Sequence, residues 1–460
     1  MELALTITAA AILQATIYPN IDSRLELFVD DYLIERIEGG AEQRLNHPVP
    51  REVALTFDAP WEGDTSAYVT VFKDDDGFRM YYRGSRWKPE RQENTCVALS
   101  KDGITWTRPS LGIIEYKGSK DNNIVWTGPG AHAFTPFKDT NPNAKPEERY
   151  KAVAPATGRG KDDGLYGYVS PDGFHWKLVK NEPLITEGNF DSQNLVFWDP
   201  NRKEYVCYFR AFRGGLPNGY RDIKRSTSKD FINWTKPEWL KYPGVPDEHL
   251  YTNAVTPYFR APHIYLGFPK RYIPDRRDHG GDGISDGLFM SSRDGITFHR
   301  WLEAFMRPGL DQENWLDRNV MAAWGILETA PGELSLYYLE HGYRPSHRIR
   351  RATIRTDGFV SIHAGAKPGA MVTKPFLFKG SELVINYSTS AAGSIRVEVQ
   401  DESGKPMEGF TLEDCHAIYG DELERTVKWR NSSDLSRFAG KPVRLKFELQ
   451  DADLYSIRFK

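Results

Sequence analysis

Ser100-Lys-Asp-Gly-Ile-Thr-Trp106 recurs along the chain as Ser170-Pro-Asp-Gly-Phe-His-Trp176, Ser228-Lys-Asp-Phe-Ile-Asn-Trp234 and Ser292-Arg-Asp-Gly-Ile-Thr-Phe298. A worn fifth copy is Arg355-Thr-Asp-Gly-Phe-Val-Ser361. The aspartates at 102, 172, 230, 294 and 357 stand 70, 58, 64 and 63 residues apart. Each copy reads as a turn: Asp-Gly bends the chain, Ser or Asp bonds nearby backbone, and the aromatic anchors the next strand. A recurrence this regular marks a repeat architecture.

Three strand-like runs precede each turn. They are Tyr68–Phe72, Phe78–Arg83 and Thr95–Ser100 in the first unit, and Ser192–Trp198, Glu204–Arg210 and Ile223–Ser228 in the third. β-Branched and aromatic residues broken by Asp, Gly and Pro, with almost no period of 3.6, give the pattern of strands. Three strands before the turn and one after it make a four-stranded unit. Five such units arranged radially predict an all-β fold, a five-bladed β-propeller over residues 21–364. Leu25–Glu35 (LELFVDDYLIE) is expected to pair with the last blade and close the ring. From residue 365 the texture changes to strict alternation, as in Ile395, Val397 and Val399 against Arg396, Glu398 and Gln400. Residues 365–460 are therefore expected to form a small antiparallel β-sandwich.

Composition narrows the function. Sixty Lys+Arg against 63 Asp+Glu give a formal net charge of -3, without the basic excess of a nucleic-acid or anionic-membrane binder. Three scattered cysteines, Cys96, Cys207 and Cys415, make neither a metal cluster nor a disulfide framework. No metal or cofactor is expected, although a structural calcium ion stays compatible with the sequence. Residues 1–20 open with MELALTITAAAILQATI, apolar but with Glu2 where a signal peptide carries Lys or Arg. Both a signal peptide and an apolar first segment fit. The expected location is secreted or periplasmic, with the cytoplasm as the alternative.

In a propeller, the starts of the innermost strands and the loops above them meet at one funnel. That confines the search to Trp61, Glu62 and Asp64 on the first unit, His132 on the second, and Asp191 and Gln193 on the third. The fourth offers Tyr251 and Asn253, and the fifth Asp317 and Arg318. The second strands end near the same rim and add Arg83, Arg210, Lys270, Arg271, Glu340 and His341. Carboxylates from several blades in a funnel lined by Trp and Tyr suit glycosidic bond cleavage, which needs one protonated acid and one ionised carboxylate. The candidates are Asp191, Glu340, Glu62 and Asp64, with Asp191 expected to work with Glu340 or Glu62. Trp61, Arg83, His132, Gln193, Arg210, Tyr251, Asn253, Arg271, Asp317, Arg318 and His341 are expected to bind substrate. Guanidinium groups at strand ends suit a uronic, sulfated or keto-acid sugar. They serve equally well to balance the carboxylates.

Through its blade turns and runs such as Phe78–Gly84 (FRMYYRG), the chain resembles the five-bladed glycoside hydrolases of families 32, 43, 68, 117 and 130. It also resembles a bacterial family-32-like group through Leu27–Glu35 (LFVDDYLIE), Asp191–Pro200 (DSQNLVFWDP) and Asp453–Phe459 (DLYSIRF). The resemblance implies an exo-acting glycoside hydrolase on a polysaccharide-derived oligosaccharide. The Asn-Asp-Pro-Asn, Arg-Asp-Pro and Glu-Cys motifs of fructan-cleaving family 32 enzymes do not occur in order. The nearest is Trp198-Asp199-Pro200, so no catalytic residue carries over by motif. Families 117 and 130 vary the acid, which keeps His132 a candidate. The alternatives are a non-catalytic glycan-binding propeller and a sialidase-like enzyme. The turns resemble sialidase Asp-box turns but are one residue shorter.

Overall fold

The computed structural model describes residues 18–88, 91–155, 164–277, 281–430 and 432–460. The apolar stretch weighed as a signal peptide lies outside the described residues. The described chain is all-β. It contains three one-turn 3-10 segments, at Pro146–Glu148, Gln312–Asn314 and Ser436–Phe438, and no helix long and apolar enough to cross a membrane.

The chain divides into two compact units, Arg44–Ser361 and a second unit that joins the chain up to Gln43 to Ile362–Lys460. Within Arg44–Ser361, five four-stranded antiparallel sheets follow one another. The first is Ala67–Asp74, Gly77–Arg86, Gln92–Ser100 and Ile124–Thr127. The second is Thr135–Lys138, Tyr150–Pro155, Leu165–Ser170 and Lys177–Leu178, and the third is Leu195–Asp199, Glu204–Arg213, Tyr220–Ser228 and Glu238–Trp239. The fourth is Thr256–Tyr258, Ala261–Gly267, Met290–Ser292 and His299–Arg300. A three-stranded sheet of His249–Leu250, Lys270–Ile273 and Ile284–Gly287 is threaded through the fourth repeat.

The fifth sheet borrows its last strand. Leu327–Ala330, Glu333–Glu340 and Arg348–Arg355 are completed by Val49–Thr56, which precedes all the other sheets in sequence. This corrects the expectation for Leu25–Glu35. Glu26–Leu27 instead pairs with Val443–Phe459, and Phe28 packs edge-on against Phe447 at 6.5 Å. The expected boundary at residue 21 therefore falls differently, because residues 22–43 belong with the C-terminal unit.

In four repeat turns the aspartate accepts from the two amides that follow the bend. At the first, Asp102 Oδ1 accepts from the amides of Ile104 and Thr105, both at 2.8 Å, and Ser100 Oγ accepts from the Gly103 amide at 2.8 Å. Trp106 Nε1 closes the turn on the Gly103 carbonyl at 3.2 Å. Gly103, Gly173 and Gly295 take φ of +73°, +81° and +76°, the left-handed region that costs glycine least. The third copy puts Phe231 there at +68° and buries its ring among Phe137, Tyr205 and Trp234.

The turns also join neighbouring sheets. Tyr81 of the first sheet donates to Gly173 O at 2.9 Å, Tyr208 of the third to Gly295 O at 2.7 Å, and Tyr337 of the fifth to Gly103 O. The worn fifth copy works differently. Its Asp357 is buried and accepts from Tyr258 (2.6 Å) and Arg260 (2.9 Å) of the fourth sheet. Where the first strands meet, Trp324 exchanges main-chain bonds with Val69 and Val71 and donates its indole N–H to Val255 O at 2.9 Å.

The second unit is built on a six-stranded sheet in which Ile34–Leu45, Val360–Thr373, Val443–Phe459, Leu383–Asp401 and Asp421–Thr426 lie side by side. Register shifts at Ala364/Gly369 and Thr389/Ser394 interrupt the two long pairings. Ile395, Val397 and Val399 are buried as their alternation predicts, in a core with Trp429, Phe447 and Phe459. Burying each such side chain is worth about 1.5–3 kcal/mol.

Candidate active site

The stretches leading into the first strands of all five sheets meet in one circuit of contacts. Tyr68, at the head of the first sheet, lies edge-on to His132 of the second, with ring centroids 5.7 Å apart. Both reach the main chain of the third: Tyr68 OH at 3.2 Å and His132 Nε2 at 3.3 Å from Asp191 O. The Asp191 carboxylate pairs with Arg210, whose guanidinium stands 5.0 Å from the centre of the Tyr251 ring ahead of the fourth sheet. Lys270 Nζ lies 4.4 Å from the same ring centre and 2.5 Å from Asp317 Oδ1, ahead of the fifth. Arg318 covers Tyr343 at 5.0 Å, and the Tyr343 amide donates to Asp64 O at 2.8 Å, back on the first.

This circuit is rich in cations. Arg83 lies over Tyr68 at 4.7 Å and donates to Thr65 O at 2.6 Å, while Arg221 lies 5.2 Å from the Tyr251 ring centre. Arg83, Arg221 and Arg318 form no ion pair with any carboxylate among the described residues. Arg83 and Arg210 are each 3% exposed, and each keeps a buried Nε without a protein acceptor. Asp191 is an accessible carboxylate, its side chain 52% exposed.

Burial and these charges set the ionisation states. Burial, aided by Arg83, pushes His132 down to about 4, so its ring is neutral at neutral pH and a poor proton donor. Burial alone would raise Tyr251, but Arg210, Lys270 and Arg318 outweigh it and bring the phenol down to about 8. Burial and the Tyr251 hydroxyl push Tyr68 well above its ordinary value. Against the cost of burial, Lys270 holds Asp317 below the usual carboxylate range.

Several expected residues do other work. Glu62 is fully enclosed and binds Arg108 at 2.7 and 2.9 Å and Tyr82 at 2.5 Å. Glu340 turns toward the third strand of its sheet, where Arg348 (2.8 Å) and Arg350 (2.9 Å) hold it ionised against burial. His341 is spent on Asp311 and Ser346, both at 2.8 Å. Trp61 braces Asn123 at 2.7 Å, and Gln193 binds Val69 O and Thr70 among the inner strands. Asn253 caps the turn to the Val255 amide at 3.2 Å. Arg271 points away from the circuit and forks onto Asp286 at 2.6 and 2.9 Å, with Glu248 at 3.1 Å. Asp64 stays half-exposed beside Trp87 N.

Arg221 and Tyr343 join the site beyond the expected residues, and of the rim pair Lys270-Arg271 it is Lys270 that faces it. The signal for Lys270 is alternation: adjacent strand residues face opposite ways, and along Lys270–Ile273 it is Lys270 and Tyr272 that are buried. Among the described residues, no three of His, Cys, Asp and Glu stand together as a metal would require.

A cavity of about 530 Å³ opens at the far ends of the same inner strands, walled by Phe72, Phe137, Phe197, Trp198 and Trp324. Its charged lining is only Lys73, Lys138 and Glu328, which offers no acid–base set.

No family model matches the chain. Among solved structures it is similar to BT0996 in complex with RGII, at 13% identity over 68% of this protein and 92% of that one, with a TM-score of 0.50. An endo-arabinase from Bacteroides thetaiotaomicron matches at 12% identity over 66% of this protein and 98% of its own length, with a TM-score of 0.42. A family 43 arabinoxylan arabinofuranohydrolase from Bacillus subtilis, in complex with cellotetraose, matches at 12% identity over 90% and 99%, also at 0.42. At these identities the likeness is one of fold: the all-β, propeller-type fold of glycoside hydrolases.

Proposed function

We propose that the five four-stranded sheets are the blades of a five-bladed propeller, accompanied by a C-terminal sandwich. In this assignment the protein is an exo-acting glycoside hydrolase that cleaves anionic, polysaccharide-derived oligosaccharides. What carries the assignment is the circuit from Tyr68 through His132, Asp191, Tyr251 and Asp317 to Tyr343, which gathers one contribution from the head of every sheet. A site to which the head of every sheet contributes suits the end of a sugar chain. Arg221 and Arg318, without ion pairs among the described residues, suit a uronate, a sulfate or a keto-acid carboxylate.

Asp191 is the catalytic carboxylate. It is accessible, and Arg210 favours its ionised form, as a base or nucleophile requires. A substrate of this kind places the enzyme outside the cytoplasm, secreted or periplasmic. The test is release of reducing ends from matched neutral and acidic oligosaccharides. Cleavage confined to acidic members supports the assignment. Tight binding without cleavage would make this a glycan-binding site, and failure of both would overturn the assignment.

A further inference from the structure

We propose that Tyr251 is the general acid of this site, donating its hydroxyl proton to the leaving glycosidic oxygen while Asp191 takes a proton from the attacking water. This rests on the glycosidase assignment and replaces the second carboxylate that such an enzyme ordinarily needs.

Arg210 joins the two residues. It pairs with the Asp191 carboxylate and stands over the Tyr251 ring, 5.0 Å from its centre. Ser192 Oγ, next to Asp191, donates to Tyr251 O at 2.9 Å and fixes the two main-chain segments together. The charged groups around Tyr251 are Arg210, Arg221, Lys270, Arg318 and Asp317, and its phenol neighbours are Tyr68, Tyr272 and Tyr343. Four cations against two carboxylates, Asp317 and the Asp191 that pairs with Arg210, stabilise the phenolate left after proton donation.

Two of the candidate carboxylates and the histidine are unsuited to the role. Glu62 and Glu340 are ion-paired with arginines, and His132 has already lost its proton at neutral pH. A phenol titrating at about 8 is protonated at neutral pH, yet it is a stronger acid than an ordinary tyrosine.

The step balances. Water gives a proton to the Asp191 carboxylate as its oxygen bonds the anomeric carbon. The glycosidic C–O bond breaks with its electron pair going to the leaving oxygen, which takes the Tyr251 proton. Asp191 then releases its proton to solvent and the phenolate regains one, so the net change is the addition of one water.

The experiment compares Tyr251→Phe with wild type on two glycosides of one sugar acid, a nitrophenyl glycoside and a methyl glycoside. The sugar acid is whichever of a uronate and keto-acid panel the wild type cleaves. A nitrophenolate leaves without a proton, so the variant should keep most of that activity. It should lose about a hundredfold or more on the methyl glycoside, the scale of a missing general acid. Wild-type kcat/KM on the methyl glycoside should fall as pH rises through about 8, because only protonated Tyr251 can donate, and that limb should vanish in the variant. If the variant fails to fold, the wild-type leaving-group dependence and the absorbance of a tyrosinate forming near pH 8 still decide. Equal losses on both substrates, or a basic limb that survives the substitution, would overturn the proposal while the glycosidase assignment stands. A wild type that cleaves no glycoside would overturn both.

Discussion

Lys270 Nζ lies 2.5 Å from Asp317 Oδ1, with the lysine wholly out of solvent and the aspartate nearly so. The pair stands beneath the Tyr251 ring, so it braces the site and also shapes its field. Asp317→Asn would leave a buried ammonium without its counter-ion, at a cost of about 3–5 kcal/mol in unfolding free energy. Denaturant titration measures this. Asp317 sits below its ordinary value when folded, so its contribution is complete above about pH 4 and is lost as pH falls through that lower value.

Glu340 separates structural from catalytic carboxylates. Arg348 and Arg350 hold it, and both are partly solvated, so Glu340→Gln should cost about 1–3 kcal/mol of stability. The folded variant should turn over substrate at the wild-type rate. Parallel thermal melts and initial rates check both halves.

The repeat turns allow a matched pair of glycine substitutions. Gly103 and Gly112 have nearly the same φ, +73° and +70°. A Cβ at Gly103 would meet Thr329 Cγ2 at 2.7 Å, whereas at Gly112 nothing lies within 4 Å. Both alanine variants suffer the left-handed penalty of about 1–2 kcal/mol. Gly103→Ala should lose roughly a further 1–3 kcal/mol to the clash, visible as a lower Tm.

These turns are also why the fold was so legible. Their Ser, Asp and aromatic positions form bonds within one short segment, so the repeat survives in the sequence. Ring closure was misread because Leu25–Glu35 is apolar for the C-terminal unit's core. The strand that closes the fifth sheet, Val49–Thr56, is exposed along most of its length and shows little alternation. The partners of Glu62 and Glu340 depended on distant or cross-strand arginines: Arg108 lies 46 residues away, and Arg348 and Arg350 are set by register. Arg271 was preferred to Lys270 because a strand end alone does not say which of two adjacent residues faces inward.

Arg318 bears on substrate charge. It stacks on Tyr343 and has no ion pair among the described residues, which leaves its guanidinium to a ligand. Arg318→Ala should weaken binding of an acidic oligosaccharide by about 1.5–3 kcal/mol and leave its neutral counterpart unaffected. Calorimetric titration with the matched pair reads this directly.

The most direct measurement is turnover of acidic oligosaccharides by Asp191→Asn, which keeps the shape of the side chain and removes its charge. Removing a general base costs about a hundredfold to ten-thousandfold in rate, so reducing-end release should fall by at least about a hundredfold with the circular dichroism spectrum unchanged. A folded Asp191→Asn that turns over acidic oligosaccharides as fast as the wild type would contradict the account.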